Sequence, residues 1–141
     1  MTTTQFSPGD LVAVQESFGR ALFQGDVIGR FYEILLASHP DIPPMFHKTN
    51  FSKQRELLTQ GINLMVLYAK GKAIGKSGLN RIRYTHNKSH YNIHPNLYKY
   101  WKESLIKTLL EFDEKINPEI LISWNKVIDH SLKYIMEGYY D

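Results

Sequence analysis

The sequence contains no cysteine, and this absence removes several kinds of site at once. Disulfides, thiolate metal centres and covalent cofactor attachment through a Cys-x-x-Cys-His motif are all excluded. A reducing compartment is compatible with this composition, and we expect a cytoplasmic protein.

Long apolar runs and clusters of one charge are missing as well. No run approaches the 18 residues that a membrane-spanning helix needs, so we expect no membrane partner. The segment Met1–Phe6 has neither the basic region nor the apolar core of a signal peptide. The formal net charge is +3 and no basic run exceeds two residues, which argues against a nucleic-acid partner.

Strand signals are also lacking, and helical spacing takes their place. No segment alternates apolar and polar residues between turn residues, but apolar residues recur at helical spacing in six substantial segments. These segments run from Ser7 to Gly25, from Asp26 to about Ser38, from about Thr49 to Tyr68, through Leu79, Ile82 and His86, and onward from His94-Pro95 and from Asn117-Pro118.

Shorter features complete the predicted fold. A tight helical turn is expected between Asp41 and Phe46, and Gly71, Gly75 and Gly78 are expected to form a loose joint. Leu22 is expected on the inner face of the first helix. Because amphipathic helices of this number pack around one core, the sequence predicts an all-α fold and a single domain over residues 1–141.

Few residues offer chemistry. No Ser/His/Asp arrangement and no glycine-rich loop after a strand is visible, so we predict no catalytic residue. Three polar residues lie inside apolar stripes: Tyr32, Gln54 and His86. Each has a plain alternative, because Tyr32 could be a core tyrosine, Gln54 a solvated first-turn residue and His86 a surface residue.

His86 and His90 are four residues apart, which on one helix places them on the same face. Such a pair is often a surface feature, but a neutral imidazole on an apolar face can also hold a metal. With His94 the pair could form a three-histidine zinc site. Asn92 and Pro95 indicate, however, that the helix ends before His94.

Together these residues resemble the globin family, and more closely the single-domain bacterial globins similar to the haem domain of flavohaemoglobins. The resemblance covers about Ser7 to Met136 and rests on ordered spacings. Those spacings join Phe31-Tyr32, Phe46 fourteen residues later, Gln54, His86 at 32 residues beyond Gln54, and Trp124 in the last helix.

The resemblance implies a three-over-three globin fold that holds a non-covalent haem b. It implies that His86 is the axial ligand of the iron and that His90, near the end of the same helix, lies beside a propionate. It further implies haem contacts from Phe46, Leu58, Ile62 and Ile93. The interval from His86 to Tyr98 is about two residues longer than in flavohaemoglobins, so neither Tyr98 nor Glu137 is assigned a proximal role.

The resemblance also implies a function. Tyr32 and Gln54 would donate hydrogen bonds to bound O₂ in a carrier, store or sensor that also binds NO or CO. The alternative is a nitric oxide dioxygenase, which would need a separate reductase because the 141 residues contain no dinucleotide fingerprint. Coordination of the iron by Tyr32, His39 or His47 and a helical domain without haem remain open.

Overall fold

Six α-helices and two short 3₁₀ turns make up residues 6–141, the part of the chain that this computed structural model describes. Met1–Gln5, which carry most of the segment examined for a signal peptide, lie outside it. The helices are α1 (Pro8–Gln24), α2 (Val27–Ser38), α3 (Phe51–Ala69), α4 (Ala73–His86), α5 (Tyr98–Phe112) and α6 (Pro118–Glu137), with 3₁₀ turns at Pro43–Phe46 and Pro95–Leu97.

The all-α prediction is confirmed, since residues 6–141 contain no strand. None of the helices in this range is long and apolar enough to cross a membrane. The tight turn that was predicted to end at Phe46 is present as the first 3₁₀ turn. The extent of the single domain over residues 1–141 stays a prediction.

Local capping explains where the helices begin. The Ser7 hydroxyl accepts a hydrogen bond from the Asp10 amide (3.1 Å), and the Asp10 carboxylate accepts one from the Ser7 amide (3.0 Å), which together form a capping box. The Ser123 hydroxyl of α6 donates to the same carboxylate (2.7 Å). The Ser7 amide and then Ser123 lower the pKa of Asp10 to about 2, so this cap also ties α1 to α6 as a charged group.

The core is one apolar cluster to which all six helices contribute. α3 packs mainly on α4, α2 on α5 and α1 on α6. Representative buried side chains, one from each helix in chain order, are Val14, Phe31, Ile62, Leu79, Leu109 and Ile128. Burial of apolar surface of this kind is the main favourable contribution to folding.

The predicted loose joint is wrong, because Gly75 and Gly78 lie inside α4. A Cβ atom on Gly75 would lie 2.3 Å from the backbone nitrogen of Tyr68, and one on Gly78 would lie 2.5 Å from the Leu64 side chain. These glycines therefore permit α3 and α4 to cross closely. The two glycines that suggested a flexible joint are instead required for close packing of the helices.

Leu22 does not face the core as predicted. It is 43% exposed, and Ala21 occupies the inner position in the last turn of α1. Val14 and Phe18 are four residues apart, but the next buried apolar residue, Ala21, follows Phe18 by three. The prediction of Leu22 assumed a further spacing of four. Small residues fit where a helix approaches its neighbour closely, and Ala21 is fully buried.

Candidate functional site

Tyr32 and the start of α3 lie together. The buried hydroxyl of Tyr32 donates to the main-chain oxygen of Gln54 (3.3 Å). An ion pair between Arg55 of α3 and Asp26, the N-cap of α2, holds these helix starts against each other. Burial raises the pKa of Tyr32, so its hydroxyl keeps its proton at neutral pH. The proposed roles of Tyr32 and Gln54 toward a ligand stay predictions.

An aromatic cluster surrounds Tyr32. Its ring centroid lies 5.9 Å from that of Phe46 and 5.6 Å from that of Phe51, and these two phenylalanines are stacked at 5.9 Å. Phe31 closes the cluster at 5.1 Å from Tyr32. Sequence reasoning missed Phe51. Its position directly after the capping Asn50 was the available signal.

Leu58 and Ile62 follow Gln54 along one stripe of α3, and both are buried. Ile62 also lines a cleft of about 250 Å³ between α1 and α3, which it shares with Val14 and Phe18. Leu58 is therefore the better placed of the two for an apolar wall beside Gln54. Contacts of either residue with haem stay predictions.

His86 is the last residue of α4, and its imidazole has the protonation state that metal binding needs. Burial lowers the pKa of His86 to about 4, although a hydrogen bond between the His86 ring and the main chain of Ile82 acts in the opposite direction, so the ring is neutral at pH 7. The Thr85 hydroxyl donates to the Ile82 carbonyl (3.1 Å) and lies 3.0 Å from Nδ1 of His86. The Thr85 oxygen therefore accepts a hydrogen bond from the Nδ1–H group of His86. In this tautomer the free lone pair of the ring is on Nε2.

No hydrogen bond from residues 6–141 reaches this Nε2 atom. A neutral imidazole with Nδ1 engaged and Nε2 open is the form that metal-binding histidines adopt. The residues present at His86 thus fit an iron atom on this side of the ring.

The prediction that His90 lies on the same helix as His86 is wrong. Asn87 has an extended conformation (ψ 174°), and its side-chain oxygen accepts from the Ser89 amide (3.1 Å). The same oxygen lies 2.7 Å from Nδ1 of His90, whose exposed ring packs against Tyr84 at 4.2 Å. These local bonds end the helix at His86. The role of His90 beside a propionate stays a prediction.

The turn after His86 brings the backbone of Ile93 against that of His86. The Ile93 amide donates to the His86 carbonyl (3.0 Å), and its side chain packs against the core. Tyr139 is buried and contacts this turn from the end of α6. Its carbonyl accepts from the Lys88 amide (2.8 Å), and its hydroxyl donates to the side chain of Asn92 (2.5 Å). Asn92 has a left-handed backbone (φ 55°), so this contact supports a conformation that costs energy.

We expect Tyr139→Phe to loosen this turn. Loss of one hydrogen bond is worth about 1 kcal/mol, so amide exchange at Asn92 and Ile93 should accelerate roughly fivefold. Hydrogen exchange followed by NMR measures this rate. Tyr140→Phe is the matched control, because Tyr140 is 78% exposed and its hydroxyl makes no hydrogen bond within residues 6–141. Equal exchange in the two variants would show that the turn is held by its own backbone bonds.

The remaining candidates are His39, His47, Tyr98 and Glu137, and no hydrogen bond within residues 6–141 joins any of them to His86. His39 packs on Tyr100 (4.8 Å) and its Nδ1 accepts from the Asp41 amide (3.0 Å), whereas His47 is exposed. Burial raises the pKa of Tyr98 at the start of α5, and Glu137 is exposed at the end of α6.

The three-histidine zinc alternative receives no support. Residues 6–141 contain no group of three or more His, Cys, Asp or Glu side chains that could hold a metal ion. His94 instead faces Tyr139 (5.5 Å), and its Nδ1 accepts from the Asn96 amide (3.1 Å).

Comparison with known structures defines the class of protein. A crystal structure of a Pseudomonas aeruginosa protein, described as structurally highly homologous to a human hemoglobin, matches this chain with a TM-score of 0.90. The two are 29% identical in sequence, and the match covers 94% of this chain and 99% of that one. No protein-family model and no curated protein matches the chain.

The chain therefore has the globin fold, and the resemblance to the globin family is confirmed. This hemoglobin-like fold implies a haem cofactor, in agreement with the neutral imidazole of His86.

Proposed function

We propose that the protein binds haem b non-covalently and uses it to bind O₂ reversibly, with NO and CO as further ligands. The observation that carries this proposal is His86, a partly buried neutral imidazole whose Nε2 atom has no hydrogen-bond partner within residues 6–141, in a chain with the globin fold. When bound, haem supplies an iron centre that coordinates diatomic gases.

The residues predicted to contact haem suit a flat apolar cofactor with a polar edge. Phe46, Leu58, Ile62 and Ile93 would contact the porphyrin and exclude water from it. His90 lies at the surface, where it could donate to a propionate. His86 would fix the orientation of the ring, because Thr85 holds its imidazole in one tautomer.

Tyr32 would control how long O₂ stays. Its present bond to the Gln54 carbonyl is long at 3.3 Å, and a bond of that length is readily exchanged for one to a ligand. The Gln54 side-chain amide offers a second donor. Each donor stabilises a polar ligand by on the order of 1 kcal/mol or more in a site without water, and the less polar CO gains less.

The experiment that tests the proposal compares the wild-type protein with Tyr32→Phe after both are loaded with haem. We expect a Soret band in both and O₂ dissociation that is about tenfold or more faster in Tyr32→Phe, since about 1.4 kcal/mol corresponds to one decade. Flash photolysis and ligand replacement measure the two off-rates.

CO dissociation is the internal control and should change less than O₂ dissociation. An unchanged O₂ off-rate would mean that Tyr32 does not donate to the ligand. A wild-type protein that takes up no haem would contradict the function as a whole.

Nitric oxide dioxygenation with a separate reductase is the second candidate. The observation that favours it is the same Tyr32 and Gln54 pair, because slow O₂ release gives NO time to react. Nitrate production that depends on NO and is sustained over many turnovers by a cellular reductase would support it. Nitrate formation that stops after one turnover under those conditions would exclude it.

A further inference from the structure

We propose that the outer face of α4, together with the turns on either side of it, is the docking surface for an acidic electron-donor protein. We call this surface, Lys70 to Tyr91 with Tyr140, the α4 face. The proposal rests on the proposed function, because a haem iron that becomes oxidised needs a donor to return it to the ferrous state.

Charge is segregated along the chain. The segment from Leu57 to Lys102 contains eight lysines and arginines and no aspartate or glutamate. All fourteen acidic residues lie in the rest of the chain, together with the other nine basic residues. The modest net charge of +3 thus combines a segment of +8 with a remainder of −5. A field of one sign steers partners of the opposite sign to that side of the molecule.

The basic side chains on the α4 face are largely free to bind a partner. Exposed residues without an ion pair within residues 6–141 are Lys70, Lys72, Lys76, Arg81 and Lys88. On this face only Arg83 is paired, with Asp141 at 3.1 Å. Elsewhere Arg20, Arg30 and Arg55 are each paired with a carboxylate. Lys53, Lys107 and Lys115 are also exposed and have no ion pair within residues 6–141, but acidic residues lie near them in the sequence.

Three tyrosines stand exposed among these charges: Tyr84 (60%), Tyr91 (69%) and Tyr140 (78%). Two of them are held by neighbours. Tyr84 packs on His90 at 4.2 Å, and the Lys88 ammonium lies 5.6 Å from the centroid of Tyr140. Tyrosine and arginine are enriched at the energetic centres of protein interfaces, and side chains already held in place lose less entropy on binding.

Position identifies the kind of partner. The ring of Tyr91 lies 5.7 Å from that of His86, so a protein seated on the α4 face would be one side chain away from the proposed iron ligand. Redox partners typically form small, weak complexes that are guided by charge. A nucleic acid or an anionic membrane would match the charge, but neither would use the proximity to His86.

The test uses a flavodoxin as the acidic one-electron donor. The variant Lys72→Glu/Lys76→Glu/Arg81→Glu reverses three charges on the α4 face. The matched control Lys53→Glu/Lys107→Glu/Lys115→Glu makes the same change in net charge at exposed lysines elsewhere. Stopped-flow spectroscopy measures reduction of the ferric haem by reduced flavodoxin, and dithionite serves as a donor that needs no docking. NMR of amide shifts measures flavodoxin binding with or without haem.

We expect the α4 variant to lose about tenfold or more of the second-order rate constant at low salt, with a much smaller loss in the control. Reduction by dithionite should be unchanged in both, and flavodoxin should shift amides between Lys70 and Tyr91. Equal losses in the two variants, or no shifts on this face, would overturn the proposal.

Two other outcomes would also overturn it. In the first, the protein binds anionic phospholipid vesicles more tightly than it binds flavodoxin, and the α4 variant loses that binding. In the second, the same result is obtained with duplex DNA. Failure to take up haem would end the proposed function alone, because the amide shifts would still decide whether the α4 face docks an acidic protein.

Discussion

His86→Ala is expected to lose the spectrum of a histidine-ligated haem and to bind haem about 100-fold or more weakly. Changes to residues that merely orient a metal ligand already cost about 10–100-fold, and here the ligand itself is removed. The His90 ring packs on Tyr84 and the His39 ring on Tyr100, so we expect neither to replace His86 fully. Haem titration followed at the Soret band and transfer to apomyoglobin measure the loss.

His90→Ala is the matched control, because it removes an imidazole only four residues away. It should keep the ferrous spectrum and alter haem release modestly. Added imidazole should restore ligation in His86→Ala by entering the space that the side chain leaves. If His86→Ala kept an unchanged ferrous spectrum, the iron ligand would have to be sought elsewhere, first at His90.

The helices and the polar residues on their inner faces could be predicted because both follow from local rules. A cap such as Ser7 or Asn117 accepts hydrogen bonds from amides three residues ahead, and both start helices in the structure. The meeting of Tyr32 with Gln54 could be anticipated only through the resemblance to globins. No spacing within one helix fixes how α2 and α3 lie against each other.

The missed features depend on contacts between residues that are distant in the chain. Gly75 was predicted to lie in a loose joint, but it packs closely against the Tyr68 backbone. Tyr139 donates a hydrogen bond to Asn92, which is 47 positions away in the sequence. The end of α4 was different, because its signal was local. Ser89 and His90 lie two and three residues after Asn87. The side-chain oxygen of Asn87 contacts both of them, and such local bonds end a helix without contacts from distant residues.

A partly buried ion pair between α1 and the end of α5 was also missed. Nε of Arg20 donates to the Asp113 carboxylate at 2.6 Å, and the Asp113 side chain is 0% exposed. The Ser17 hydroxyl donates to the same carboxylate (2.6 Å) and accepts from the Trp124 indole (2.9 Å). Arg20 and Asp113 are 93 positions apart in the sequence, and no motif links them.

Arg20→Met is expected to destabilise the fold by about 3 kcal/mol at pH 7. The variant keeps the apolar stem but leaves the Asp113 carboxylate buried without its cation, which is the costly way to break such a pair. Urea denaturation measures the free energy of unfolding. Arg30→Met is the matched control, because its pair with Glu111 (2.8 Å) is exposed and screened by water, so we expect a much smaller loss of stability.

The dependence on pH separates this mechanism from simple loss of packing. Burial opposes ionisation of Asp113, but hydrogen bonds from Arg20 and Ser17 outweigh it and leave its pKa below the ordinary 3.8. In the wild type this contribution to stability is therefore present above pH 3.8 and is lost as the pH falls through the lower pKa of the folded protein. In Arg20→Met, burial acts without that cation and the pKa of Asp113 rises.

The native state of the variant should then take up a proton as the pH falls from 7 toward 4, so the stability difference from wild type should shrink. Arg20→Met/Asp113→Asn should be more stable at pH 7 than Arg20→Met alone, because a neutral amide has no charge to desolvate. A stability difference that stays constant between pH 7 and pH 4, together with no recovery in the double variant, would assign the loss to packing of the arginine stem.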